Sequence, residues 1–133
     1  MVYLSQAFFE PKRIDGGVKF WEKNRALLEQ AEKAYGIPVQ VMVAIIGVES
    51  SYGSNQGRFR VIDALSTLSF YYPKRSAFFS SELEAFFLMC REKHLDPLQP
   101  KGSYAGAMGW PQFMPSSYRR YAVDFNHNGH ADI

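Results

Sequence analysis

The chain is poor in cysteine, in net charge and in long apolar runs, and each shortage closes off a class of protein. Its single cysteine, Cys90, excludes an internal disulfide framework and any multi-cysteine metal site. Cys90 lies in Phe86-Phe87-Leu88-Met89-Cys90, where a small buried hydrophobe is expected rather than a nucleophile. Fifteen Lys and Arg against 13 Asp and Glu leave a net charge of +2, too little for nucleic acid or an anionic membrane to be the main partner. The longest apolar run, Val41 to Ile46, is far short of a membrane span. Met1-Val2-Tyr3-Leu4-Ser5-Gln6 has neither the basic stretch nor the apolar run of a signal peptide, so a soluble chain without membrane contact of its own is expected. His94, His127 and His130 are not spaced as a zinc set, and no Ser-His-Asp set or phosphate loop is present.

Aromatic residues, in contrast, are plentiful. Eleven Phe supply core, while eight Tyr suggest a surface that meets something flat and amphipathic, such as a sugar ring. With 133 residues, 47% hydrophobic and 21% charged, the chain is one ordered domain, expected as a monomer.

Periodicity predicts an all-α class. Phe20, Trp21, Leu27, Leu28, Ala31 and Ala34 trace the apolar side of a helix over Val18–Tyr35, stopped by Gly36 and Pro38. Pro38 then opens a second helix to about Glu49 that is apolar nearly all round and therefore expected to be central. Ser50 to Arg60 reads as a loop. Asp63, as N-cap, introduces a third helix over Ala64–Tyr71, closed by Pro73. A fourth runs from Ser76 to His94 with Phe78, Phe79, Leu83, Phe86, Phe87 and Cys90 on its inner side. Asp96 to Pro115 loses all period, and long loops inside compact domains tend to be functional. Ser116-Ser117 caps a last short helix to about Val123.

Three places could carry chemistry. Glu49 stands at the end of the apolar helix. A carboxyl beside an apolar wall at the negative end of a helix dipole suits an acid catalyst, which must still hold a proton when it meets its substrate; the alternative is a Glu that simply faces solvent. In Gly102 to Pro115, Ser103, Tyr104 and Gln112 offer neutral hydrogen-bonding groups beside the apolar faces of Met108, Trp110, Phe113 and Met114. That mixture matches a sugar's hydroxyls, acetamides and ring faces, although the same aromatics could plug a core. Asp124, Asn126 and Asn128 place side-chain oxygens at positions 1, 3 and 5 before Gly129, as in the start of an EF-hand calcium loop, with His130 offering its main-chain carbonyl. Such Asn-Gly turns also occur without metal, and the sequence ends before the acidic ligand of position 12 could appear. Lys74-Arg75 reads either as a solvated pair or as a grip on an acidic group.

Taken together, Glu49-Ser50-Ser51-Tyr52-Gly53, Val61 to Phe70 with Tyr72-Pro73-Lys74-Arg75, Gly106-Ala107-Met108-Gly109 and Gln112 to Tyr118 resemble the lytic murein transglycosylase B family. The likeness runs over about residues 18–133, leaving 1–17 without a role, and Asp124 to His130 falls where some members carry a calcium loop. It implies a lysozyme-like helical catalytic core, here a C-terminally truncated fragment. The implied reaction is non-hydrolytic cleavage of the β-1,4 bond between N-acetylmuramic acid and N-acetylglucosamine, leaving 1,6-anhydromuramic acid. Glu49 would be the sole acid/base, and Ser50, Tyr52, Arg75, Ser103, Tyr104, Met108, Gln112 and Phe113 would bind substrate. No cofactor would be needed for chemistry; a structural calcium would belong to the full-length parent. The partner would be peptidoglycan glycan strands and the location the periplasm. Two other readings remain open: a non-catalytic peptidoglycan-binding fragment and a lysozyme-type muramidase. The Trp110-Pro111 pair, and Lys rather than Arg at position 74, depart from the family pattern.

Overall fold

The structure, a computed structural model, describes residues 11–129 and 131. They fall into two compact units, Met1–Asn55 and Gln56–Ile133.

The first unit holds α1 (Pro11–Lys23), α2 (Arg25–Tyr35) and α3 (Val39–Ser50). The sequence predicts one helix over Val18–Tyr35, yet the structure divides it at Asn24. The Asn24 backbone leaves the helical region, with φ −110° and ψ 18°. Its side-chain amide donates to the Phe20 carbonyl at 2.9 Å, which its own N–H also reaches at 3.0 Å. A short amide side chain that bonds back to the i−4 carbonyl competes with the helical ladder. Residues 11–17 are the first turns of α1, with Pro11 at its start.

Pro38 lies just outside α3 rather than in its first turn, with φ −57° and ψ 141°. Glu32 of α2 caps α3, its Oε2 accepting the Val39 N–H at 2.6 Å. α3 is the helix on which both others pack, but among the described residues it is not enclosed all round. Val39, Val43, Gly47 and Ser50 are buried at helical spacing, against Phe20 and Leu28 from α1 and α2. Val41, Ile45 and Val48 are 44%, 52% and 56% exposed, and Glu49 is exposed as well. Two neighbouring helices can cover one face of a third, and α3 is apolar on more than one. Among the described residues, Glu49 therefore stands exposed, without the apolar wall expected around it.

The second unit contains β1 (Phe59–Arg60), α4 (Val61–Tyr71), a 3₁₀ turn (Pro73–Arg75), α5 (Ser76–Glu92), β2 (Lys101–Gly102) and α6 (Pro115–Tyr121). β1 and β2 pair antiparallel, Phe59 opposite Gly102 and Arg60 opposite Lys101. With two-residue strands as the named sheet among the described residues, the all-α class stands. No single helix among them is long and apolar enough to cross a membrane.

Asp63 is not the N-cap. α4 begins at Val61, whose N–H donates to the Pro100 carbonyl at 3.0 Å, so the strand pairing sets the boundary. Asp63 instead accepts from Arg60 at 2.7 and 3.2 Å, a hydrogen-bonded pair that raises the Arg60 guanidinium above its ordinary value. On α5 the buried face is Phe79, Glu82, Ala85, Phe86, Met89 and Cys90, while Phe78 and Phe87 point out. Adjacent helical residues lie about 100° apart, so Phe78-Phe79 and Phe86-Phe87 cannot both face inward. Phe78 carries the Arg75 guanidinium 4.3 Å above its ring.

The core joins Val61 and Leu65 of α4 to Phe79, Phe86, Met89 and Cys90 of α5, with Met108 and Tyr118. Cys90 is buried as expected, and burial, with Asp96 nearby, pushes its thiol up. Ser116 does not cap α6 with its own side chain; the helix starts one residue earlier, and Ser116 donates to Glu82 of α5. The Tyr118 hydroxyl donates to the Met108 carbonyl at 2.9 Å, and burial holds its pKa up at about 12. The neutral phenol is therefore favoured in the folded chain. Its contribution to stability is complete below the unfolded value of about 10 and is lost as pH rises toward 12. Urea unfolding at pH 9 and pH 12 should show a Tyr118-dependent loss on the order of 2 kcal/mol. Tyr118→Phe should remove that loss, and equal alkaline slopes in both proteins would contradict the assignment.

Candidate active site

Glu49 is the penultimate residue of α3, and the chain turns sharply behind it. Ser51, Tyr52 and Gly53 all adopt positive φ, at 48°, 59° and 82°. For two non-glycine residues in a row this is uncommon, and it persists only where the surroundings enforce it. Ser50 is part of that enforcement. Its side chain is 1% exposed; Oγ donates to the Ile46 carbonyl at 3.2 Å and accepts the Gly53 N–H at 3.0 Å. The Asn55 N–H closes the loop on the Ser50 carbonyl at 2.8 Å. Ser50 therefore holds the turn beside Glu49.

Tyr52 is half-buried, with its ring 6.0 Å from that of Phe20. It packs where α3 has no side chain: a Cβ added at Gly47 would lie 2.5 Å from the Tyr52 ring. The same ring borders an open cavity of about 360 Å³ lined also by Lys12, Arg13, Gly16, Ser51 and Ser54.

The other predicted site residues stand in the second unit. Between β2 and α6 the chain folds back twice. Met108 bridges antiparallel to Gly102 on one side and to Phe113 on the other. Its N–H donates to the Phe113 carbonyl at 2.9 Å, and its carbonyl accepts the Phe113 N–H at 3.1 Å. Gly57 lets the segment before β1 approach this loop: at φ 103°, a Cβ there would fall 2.0 Å from the Gly102 main chain.

Ser103 organises the first bend. Its Oγ accepts the N–H groups of Ala105 and Ala107 at 3.2 and 3.1 Å, which leaves the hydroxyl proton to donate. Tyr104, beside it, is 74% exposed. Gln112 adopts φ 52°, and its side-chain amide donates to the Gln56 carbonyl at 3.2 Å and the Gly109 carbonyl at 2.9 Å. Phe113 is partly exposed and meets the Tyr118 ring edge-on at 5.6 Å. Met108 departs from expectation. Its side chain is fully buried in the core, because the inward side of the central run must fill the space over α4 and α5. It cannot offer an apolar face to a ligand.

Arg75 sits on the 3₁₀ turn with its guanidinium over Phe78 and Phe79, exposed at its outer edge. Asp124 Oδ1 and Oδ2 accept from the Asn128 and Gly129 N–H groups at 3.1 and 2.7 Å, and Asn126 Oδ1 from Asn128 N at 3.3 Å. The predicted loop thus curls around its own oxygens. His130 lies outside the described residues. Of the predicted set, the structure gathers Glu49, Ser50 and Tyr52 in the first unit, and Ser103, Tyr104, Gln112 and Phe113 on one loop of the second. A buried carboxyl that the sequence reading did not single out is Glu82, whose place on the stripe Phe79-Glu82-Phe86 is readable from spacing.

The chain matches the transglycosylase SLT domain family over residues 2–133 and belongs to that family. It is 51% identical over 126 residues to the membrane-bound lytic murein transglycosylase B of Escherichia coli (strain K12), spanning 95% of this chain and 35% of that one. Among solved structures it is similar to the soluble lytic transglycosylase SltB1 of Pseudomonas aeruginosa, with a TM-score of 0.93, 55% identity, and coverage of 96% and 43% of the two chains. It is also similar to the E. coli lytic transglycosylase Slt35 in complex with calcium (TM-score 0.92, 50% identity, 96% and 41%). A third likeness is to P. aeruginosa SltB3 in complex with NAG-NAM-pentapeptide (0.89, 33%, 98% and 34%). The fold is that of the lysozyme-like lytic transglycosylases. The chain spans about two-fifths or less of the length of these relatives.

Gly47→Ala separates two forces at the turn. Helix propensity alone would stabilise the variant by about 1 kcal/mol. The close Tyr52 ring predicts the opposite sign, a destabilisation of about 1–2 kcal/mol from overpacking. Thermal unfolding reads the sign directly, and a gain in stability would rule out the packing seen at Tyr52.

Proposed function

We propose that the chain is the catalytic part of a peptidoglycan lytic transglycosylase, cutting the β-1,4 bond between N-acetylmuramic acid and N-acetylglucosamine without water. The observation that supports it most is Glu49, displayed at the end of α3 by a turn of enforced geometry, within a chain of this family. Glycosidases that use two carboxylates divide acid and nucleophile between them. Here Asp63, the other carboxylate of the matching motifs, is engaged by Arg60.

Glu49 acts alone. Its carboxyl proton passes to the glycosidic oxygen as the bond to C1 breaks, and the substrate's own acetamide oxygen steadies the charge at C1. The resulting carboxylate takes the proton of the muramoyl C6 hydroxyl. That oxygen bonds to C1, giving the 1,6-anhydro product and restoring the carboxyl. Ser103, accepting two main-chain N–H groups and still able to donate, suits an acetamide carbonyl. Tyr104 and Phe113 offer faces to sugar rings, and Arg75 a charge to the lactyl or peptide acid. Peptidoglycan lies outside the cytoplasmic membrane, so the place of action is the periplasm.

The loop beginning at Asp124 fits calcium in donor chemistry: one carboxylate and two amide side chains, all hard oxygens, on a turn closed by their own main chain. Asp124, Asn126 and Asn128 would hold the ion, with the His130 carbonyl as the family pattern implies. Calcium would cross-link the loop and play no part in the bond cleavage.

Digestion of purified peptidoglycan, followed by mass measurement of the soluble fragments, tests the proposal. Anhydro ends, one water lighter than hydrolysed ends, are the expected product. Reducing ends would move the assignment to a muramidase, and binding without release to a glycan-binding module. Glu49→Gln should abolish turnover and leave binding to the sacculus nearly intact; an active variant would remove Glu49 from its role. Separately, calcium should raise the melting temperature relative to chelator, and identical values would dismiss the ion.

A further inference from the structure

Glu82 has a position that packing alone does not explain. It lies on the buried face of α5 between Phe79 and Phe86, 5% exposed. A carboxylate there is costly unless its oxygens are paired. Both are engaged by one residue 34 positions away: Oε2 accepts the Ser116 main-chain N–H at 3.0 Å, and Oε1 its hydroxyl at 2.5 Å. Ser116 is the second residue of α6, and its N–H is one of those a helix cannot satisfy internally. Glu82 thus supplies, from another helix, the cap that α6 does not make for itself.

The consequence runs back along the chain. The Tyr118 hydroxyl fastens α6 to the Met108 carbonyl, and Glu82 fastens its first turn to α5. The segment between them, carrying Gln112 and Phe113, is held at two buried polar points. Gln112 needs such holding, because at φ 52° it keeps a conformation an unrestrained residue would leave. We propose that Glu82 is the positioning residue of the glycan-binding loop, setting where Gln112 and Phe113 meet substrate. The inference rests on the transglycosylase reading above.

The test compares wild type with Glu82→Leu, Glu82→Gln and Ser116→Ala on purified glycan strands, with amide hydrogen exchange on the same proteins. Gln retains an acceptor for the Ser116 N–H and can donate to its hydroxyl, so it serves as the rescue. Glu82→Leu should raise KM by about tenfold or more while kcat falls far less. Glu82→Gln should recover to within about threefold of wild type, and Ser116→Ala, which keeps the main-chain bond, should lie between. The Phe113 amide should lose protection in Glu82→Leu while those of α4 and α5 keep theirs. A fold defect alone would shrink the active fraction, lowering kcat at constant KM. That pattern, or an unchanged KM in Ser116→Ala alongside Glu82→Leu that fails to fold, overturns the proposal. A wild type that releases no anhydro product, or an active Glu49→Gln, would instead sink the transglycosylase reading. In that case the Phe113 exchange still decides whether Glu82 positions the loop.

Discussion

The main chain of Met108 is the constraint on which the second unit depends. Its carbonyl accepts two donors, the Phe113 N–H and the Tyr118 hydroxyl, and its own N–H returns to Phe113. Gly102 runs along its other edge, and its side chain fills the core above α4 and α5. A main-chain unit so occupied leaves the flanking bends little freedom, and buried hydrogen-bond networks of this kind are costly to leave half-made. The exposed side chains of Tyr104 and Phe113 therefore project from a frame built without them. Loops are commonly carried by a rigid scaffold, and here the scaffold passes through the loop itself.

The first unit solves a similar problem with different means. Glu49 stands on a helix, but its setting is decided by the turn that follows: a buried Ser50 hydroxyl bonded on both sides, three residues in the left-handed region, and a Tyr52 ring seated against Gly47. α3 meets its neighbours through Val39, Val43 and Gly47, and Glu32 ties down its first N–H. Glu49 itself is exposed, while the Ser50 hydroxyl that anchors the turn behind it is buried.

Much of this was legible in the residues. The apolar stripes announce α3, α4 and α5 to within a few positions, and the motif residues around Glu49 and Gly106 to Tyr118 carry the family. Most of the misses share a cause: polar side chains that find hydrogen-bond partners which no apolar pattern encodes. Asn24 breaks a periodic helix because its amide finds the Phe20 carbonyl. Ser116 resembles a cap but takes its partner from α5, and Asp63 resembles a cap but pairs with Arg60. Met108 looks like a ligand face by composition and is core by register, since alternation within a run of glycines is too short to read. The Cys90 environment, by contrast, follows from its neighbours alone.

The left-handed run after Glu49 has a meaning for how this stretch tolerates change. A β-branched residue at Ser51 or Tyr52 would be refused by the backbone before any question of sugar or proton arises, since such side chains rarely accept positive φ. Conformation thus limits these two positions by itself, whatever the role of the carboxyl before them. A substitution at either position is therefore read out first in the folding of the turn.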